Sequence, residues 1–272
     1  MNHWYDLEGK ARHTMPTKKG AKNPFRPTTI ADARAYRLLP SITTIMSVVD
    51  NPALNRWKQS KVAEWCFDAP PGPEETKEEY ASSAVEKAMD EVSDAADLGT
   101  WTHANIEAHS KGKPMPHQGH PFDLAWAGLL AFQKAGFEVA ESEITVINPK
   151  HGYAGTTDCA VKRGSQCGIV DFKTIRTKPG QPIAHRFGHI PQIAAYHTAF
   201  WCGGEPMTDN TFGANIYIST TEPGRVEVVE YTVGQLRAGF EVFLAACHIW
   251  RYINRYDPRK KSIEEDADQE SE

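Results

Sequence analysis

Ahead of Val139 the apolar residues recur mostly at helical spacing, and beyond it short β-rich runs alternate with helical ones. Residues 1–38 hold Gly, Pro and Lys with little apolar periodicity and read as loop or weak strand. Ser41, after Pro40, predicts a capped helix through about Val49. Asn51-Pro52 predicts the cap and first turn of a second helix, carrying Leu54, Trp57, Val62 and Trp65 inward. The run Asp68-Ala69-Pro70-Pro71-Gly72-Pro73 breaks the chain and marks an internal boundary. Thr76 and Glu79 have capping-box spacing and open a long helical stretch that ends near Ser110, ahead of Gly112 and Pro114. A further helix is expected from about Pro121 to Lys134, stopped by Gly136.

Val139 to Ile147, Tyr153 to Lys162 and Cys167 to Lys173 predict three strands. Ile190 to Trp201 predicts a helix, Phe212 to Ser219 and Val226 to Tyr231 two more strands, and Val233 to Tyr252 a last helix. This order predicts an α/β arrangement around a mixed sheet. Arg163-Gly164-Ser165-Gln166 suits a two-residue type II′ hairpin, because Gly stands at the first central position. Pairing Arg163 with Gln166 sets Asp158 opposite Asp171, on the face shared with Lys173. Carboxylates about 5 Å apart repel by about 3 kcal/mol at an effective dielectric of about 20. Such a pair requires a compensating cation or a shared proton. Lys173 offsets one charge, and a hard divalent cation would offset the rest. A lone Asp–Lys pair would read as a surface salt bridge, but Gly168-Ile169-Val170 and Phe172 mark this strand as buried.

Two further pairs share a helix face. His103 and Glu107 are four residues apart, and imidazole and carboxylate are both metal ligands, although a helical His alone reads as a packed or surface residue. No HExxH is present, so a zincin-type site is not supported. Gln192 and Tyr196 also share a face and suit holding a phosphate or orienting a site.

Composition narrows the class. The chain has 272 residues, 40% hydrophobic and 24% charged, as in an ordinary globular protein. No stretch approaches the roughly 18 apolar residues of a membrane span, and no apolar signal-peptide core follows Met1. Five cysteines with no CxxC pair make a disulfide framework or cysteine-built zinc site poorly supported. The net charge of −5 is uneven, because Glu264 to Glu272 hold six acids and no bases. Residues 1–61 carry 11 Lys/Arg against four Asp/Glu. That excess suits a polyanion, but taken alone it better describes a solvated, partly flexible arm.

Gly99-Thr100-Trp101-Thr102-His103 with Glu107, Gly155-Thr156-Thr157-Asp158, Asp171-Phe172-Lys173 and Gln192-Ile193-Ala194-Ala195-Tyr196 together resemble, in order and spacing, the RecB-like exonuclease branch of the PD-(D/E)XK nuclease superfamily. Leu39 to Met46 look like the front of phage exonucleases and of the mitochondrial genome maintenance exonuclease. The resemblance spans roughly residues 39–203. It implies a restriction-endonuclease-like core, a mixed central β-sheet flanked by helices, with an N-terminal helical extension. Residues 1–72 would form a basic arm and helices packing on the core, 73–262 the nuclease core, and 263–272 an acidic disordered tail.

The resemblance further implies that His103, Asp158, Asp171 and the Phe172 carbonyl bind Mg²⁺ or Mn²⁺, with Glu107 matching an acid seen in some relatives. Lys173 would position water and stabilise phosphate charge, supported by Gln192 and Tyr196. With an imidazole ligand, Mn²⁺ is expected to serve at least as well as Mg²⁺. Only Cys202 and Cys247 lie downstream of the site, so no iron–sulfur cluster is expected. There is no GxxxxGK[ST], so any helicase or recombination protein would be a separate partner.

Arg34, Arg37, Arg56, Trp57, Lys58 and Lys61 combine bases and aromatics suited to single-stranded DNA, with Trp57 and Trp65 open to a core reading instead. His185, Arg186 and His189 read either as phosphate contacts or as loop residues. The expectation is a metal-dependent DNA exonuclease acting at ends, without membrane association, in the cytoplasm of a bacterial or phage-infected cell. The alternative is a DNA-binding accessory protein that keeps the fold and does not cut.

Overall fold

The structure, a computed structural model, describes residues 3–18, 22–49 and 52–260. The chain opens with β1 (Trp4–Tyr5), β2 (Thr14–Pro16), β3 (Phe25–Pro27), α1 (Ile30–Tyr36), β4 (Leu39–Pro40) and α2 (Ile42–Met46). Four helices follow: α3 (Pro52–Asp68), α4 (Lys77–Ala88), α5 (Asp90–Ser110) and α6 (His120–Lys134). The remainder is β5 (Glu138–Asn148), β6 (Tyr153–Arg163), β7 (Gln166–Ile175), α7 (His189–Phe200), β8 (Thr211–Ser219), β9 (Val226–Tyr231) and α8 (Val233–Asn254). Among the described residues no helix is long and apolar enough to cross a membrane.

The chain divides into two compact units, Met1–Val48 with Trp126–Glu272, and Val49–Ala125. The boundary expected at 72/73 falls inside the second unit, where the Tyr80 hydroxyl of α4 donates to the Cys66 and Ala69 carbonyls at the end of α3. The expected basic arm is therefore split between the units. The acidic tail and the Asn51 cap lie outside the described residues.

In the first unit, five strands form a sheet in the order β5-β6-β7-β8-β9, antiparallel except for the parallel pair β7-β8. The parallel pair needs a long connection, which α7 supplies. Gly164 has φ +60°, as the first central residue of the expected turn requires, and Arg163 pairs with Gln166. The register runs on to Cys159 opposite Val170, as the sequence predicts. One face carries Gly213, where an added Cβ would meet Ile193 of α7 at 2.6 Å and Leu236 of α8 at 3.2 Å. The absent side chain lets both helices lie close on the sheet. The opposite face carries Phe172, stacked on Phe132 of α6 at 6.0 Å.

The N-terminal segment differs most from expectation. Residues 30–36 are helical, opened by a capping box between Thr29 and Asp32. This helix buries only Ala33, so it leaves no apolar stripe to read. Ser41 caps α2 as expected, its hydroxyl accepting from the Thr44 N–H at 3.0 Å, but the helix ends at Met46 rather than Val49. Trp4 is fully buried and packs edge-on against Trp250 of α8. The long helical stretch is two helices, α4 with its Thr76–Glu79 capping box and α5, parted at Met89. Trp57 is 39% exposed, so α3 does not carry it inward. Val62 and Trp65 are half-buried, and Trp65 packs on Tyr80.

Candidate active site

The antiparallel ladder between β6 and β7 stops one residue short of the two aspartates, and a side chain takes over. Asp158 Oδ2 accepts the backbone N–H of Phe172 at 2.7 Å. This bond turns the Asp158 carboxylate toward β7. Asp171, buried on β7, meets the Lys173 ammonium, Oδ2 to Nζ, at 2.7 Å. The Lys173 side chain is 25% exposed and that of Asp171 is 6%, so the cation is the more solvent-facing partner. The hairpin thus brings two carboxylates and one ammonium together where its ladder ends.

The next strand adds a residue that the sequence reading did not include. Asn215 of β8 lies beside Asp171 in the parallel register and is fully buried. Its Nδ2 donates to Asp171 Oδ2 at 2.9 Å and to the Asp171 carbonyl at 3.2 Å. Its Oδ1 accepts from the Tyr231 hydroxyl at 2.9 Å. The Tyr231 oxygen lies 3.4 Å from that of Tyr217, and the Tyr217 oxygen 2.7 Å from Nδ1 of His189, the first residue of α7. Burial, with the positive charges of Lys173 and Arg186, pushes the His189 pKa down to about 3. The signal available beforehand was a lone amide within the apolar run Phe212 to Ile218.

α7 brings Gln192 and Tyr196 over the same region, Gln192 Nε2 donating to the Tyr196 hydroxyl at 3.5 Å. Burial, reinforced by the charges of Asp171 and Asp158, holds the Tyr196 phenol well above its ordinary pKa, so it stays protonated. Gly155 of β6 makes room for the ring, since an added Cβ would lie 2.9 Å from Tyr196 Cε1.

Glu143 is a second residue the sequence reading missed. Its neighbours Ser142 and Ile144 pair with Cys159 and Thr157, which sets it opposite Asp158 in the register. Its φ of 50° is left-handed, unusual for a non-glycine residue and a mark of local distortion. Burial, then the charges of Asp158, Glu143 and Asp171, keep the neighbouring Cys159 thiol protonated.

Phe172 contributes its backbone beside Asp158, its side chain being buried on the other face. His103 and Glu107 lie on α5 in the second unit, where the Glu107 carboxylate pairs with Lys111 one turn on. Among the described residues, no three His, Cys, Asp or Glu side chains are grouped so as to hold a metal ion. Asp158 and Asp171 nevertheless supply two hard oxygen donors on adjacent strands. This suits Mg²⁺ or Mn²⁺, which characteristically takes one or two carboxylates and completes its shell with water and substrate phosphate.

The residues expected to meet nucleic acid fall into three groups. Arg34 and Arg37 belong to α1 and its cap. Arg34 Nη2 donates to the Asn254 and Arg255 carbonyls at 2.9 Å, closing the end of α8. Arg56, Trp57 and Lys58 are exposed on α3, and Lys61 pairs with Glu64 at 3.0 Å. Arg186 is exposed on the β7–α7 connection, while His185 stacks on Tyr217 at 5.0 Å and faces Glu227.

No family model and no curated protein matches the chain. Among solved structures, it is similar to the one described as the crystal structure of SSO0001, at 17% identity over 72% of this chain and 88% of that one, with a TM-score of 0.29.

Proposed function

We propose that this chain is a divalent-metal-dependent DNA exonuclease that hydrolyses phosphodiester bonds at free ends, on a restriction-endonuclease-like core. The observation that carries the reading is the convergence of Asp158, Asp171 and Lys173 at the end of one hairpin, with Phe172 N–H on one carboxylate and Lys173 on the other. A structural ion pair needs one acid, and a second carboxylate one strand away adds a further hard oxygen donor beside it.

In this reading Asp158 and Asp171 hold Mg²⁺ or Mn²⁺, with the Phe172 carbonyl of the same hairpin as a further ligand that the resemblance implies. A cation so held supplies Lewis acidity toward the scissile phosphate and lowers the pKa of water. Lys173 offsets the negative charge that grows on the phosphate during in-line attack. Gln192 and Tyr196 stay neutral and donate hydrogen bonds, which orient an anion without competing for the cation. Arg186 and the bases of α3 guide the strand, with single-stranded ends as the preferred substrate.

The test is cleavage of end-labelled linear and closed-circular single-stranded DNA with Mn²⁺, Mg²⁺ or EDTA. Asp171→Ala and Lys173→Ala are run beside the wild-type chain. Metal-dependent loss of the linear substrate alone, reduced at least about 100-fold in both variants, is the expected result. Cutting of the circle would make the activity endonucleolytic. Intact DNA binding with no cutting under any condition would replace the proposal with the accessory-protein reading.

A further inference from the structure

Asn215 occupies a place where an amide is costly. All nine residues of β8 are buried, and Ala214, Ile216 and Ile218 around it are apolar. An amide buried there without partners would cost about 1–3 kcal/mol. Its partners are specific. The Asp171 carbonyl can only accept, so the nitrogen of the amide must face it, and the oxygen must face Tyr231. The Tyr231 hydroxyl therefore donates, locking the amide against flipping. Locked in this way, Nδ2 reaches the same Asp171 oxygen that Lys173 holds. Two donors from different strands, one neutral and one charged, fix the carboxylate in its plane.

We infer that Asn215 is a positioning residue for Asp171, with Tyr231 holding it in turn, and that together they set the affinity of the site for its divalent cation. The inference rests on the nuclease reading. Outer partners of a metal-binding carboxylate leave the ligand in place and change its aim, and their removal typically weakens metal affinity about 10- to 100-fold. Tyr231 is well suited to a test because Tyr231→Phe deletes one oxygen and keeps the buried ring on β9, beside Gly213 of β8.

The full-length chain is compared with Tyr231→Phe and Asn215→Leu in two measurements. One is Mn²⁺ binding by calorimetry without DNA. The other is single-turnover cleavage across a Mn²⁺ titration, scaled to the folded fraction from a urea melt. In Tyr231→Phe the Mn²⁺ concentration for half-maximal cleavage is expected to rise about tenfold, with a smaller change in the rate at saturation. Calorimetric affinity is expected to fall in parallel. Asn215→Leu is expected to show the larger shift, and Tyr231→Phe alone decides the matter if Asn215→Leu does not fold. A purely structural role would lower the urea midpoint and leave Mn²⁺ half-saturation unchanged, which would overturn the inference while wild-type cleavage upheld the nuclease reading. A wild-type chain that neither binds Mn²⁺ nor cleaves would overturn both.

Discussion

Gly155 has no side chain where Tyr196 needs the space. Gly155→Ala would bring a Cβ to 2.9 Å from Tyr196 Cε1 and 3.4 Å from Ile42 Cδ1. Overpacking of this kind costs about 1–3 kcal/mol, so the urea midpoint should fall, and under the proposed function cleavage should fall with it. An unchanged midpoint would mean that the ring moves at no cost. His197 makes a second residue-scale case. It is fully buried, and Nε2 lies 3.2 Å from the Cys167 carbonyl, which can only accept, so that nitrogen carries the proton. Nδ1 then accepts from the Cys202 thiol at 3.6 Å. Burial pushes the His197 pKa down to about 4, against about 6.5 in the unfolded chain. The unfolded state binds the proton first, so this contribution is complete above about pH 6.5 and is lost as pH falls toward 4. The loss amounts to about 3 kcal/mol. His197→Gln should flatten stability between pH 6.5 and 4 in urea melts, and an unaltered slope would assign the pH dependence to other groups.

The capping signals were the most legible features of the sequence at the scale of elements. Ser41 and the Thr76–Glu79 box cap helices where expected, because a cap is a contact within four residues. All five strands of the sheet and α6, α7 and α8 likewise follow from local periodicity. The break at Met89 was not legible, because no Gly or Pro marks it. α1 was missed because its box uses Asp32, not Glu or Gln, and its face is almost wholly polar. Arg34 shows the cost of reading a base by charge alone, since its guanidinium closes the C-terminus of α8. Arg34→Ala should lose about 0.5–1.5 kcal/mol and speed hydrogen exchange in the last turn of α8. A variant that loses DNA affinity with that protection intact would return Arg34 to the nucleic-acid set.

For the molecule as a whole, a net charge of −5 means that any DNA binding depends on local bases. Arg56 and Lys58 stand exposed on α3, and charge reversal of both should weaken single-stranded DNA binding and lower the salt slope of log Kd by about 1.4. An unchanged slope would remove α3 from the path of the strand. The hairpin part of the candidate site was legible because turn geometry fixes its register. Asn215 was not, because no local rule says which strand will lie parallel to β7. The same contrast orders the steps by which the chain assembles. β6 and β7 meet through a two-residue turn, within reach of the microsecond closure of hairpins. β8 joins β7 only after residues 176–210 have folded back, a slower, non-local event. By this order Asp158 and Asp171 would face one another on a nascent ribbon before Asn215 arrives, and the repulsion between them would oppose the early chain while Lys173, carried on the same ribbon, offsets part of it.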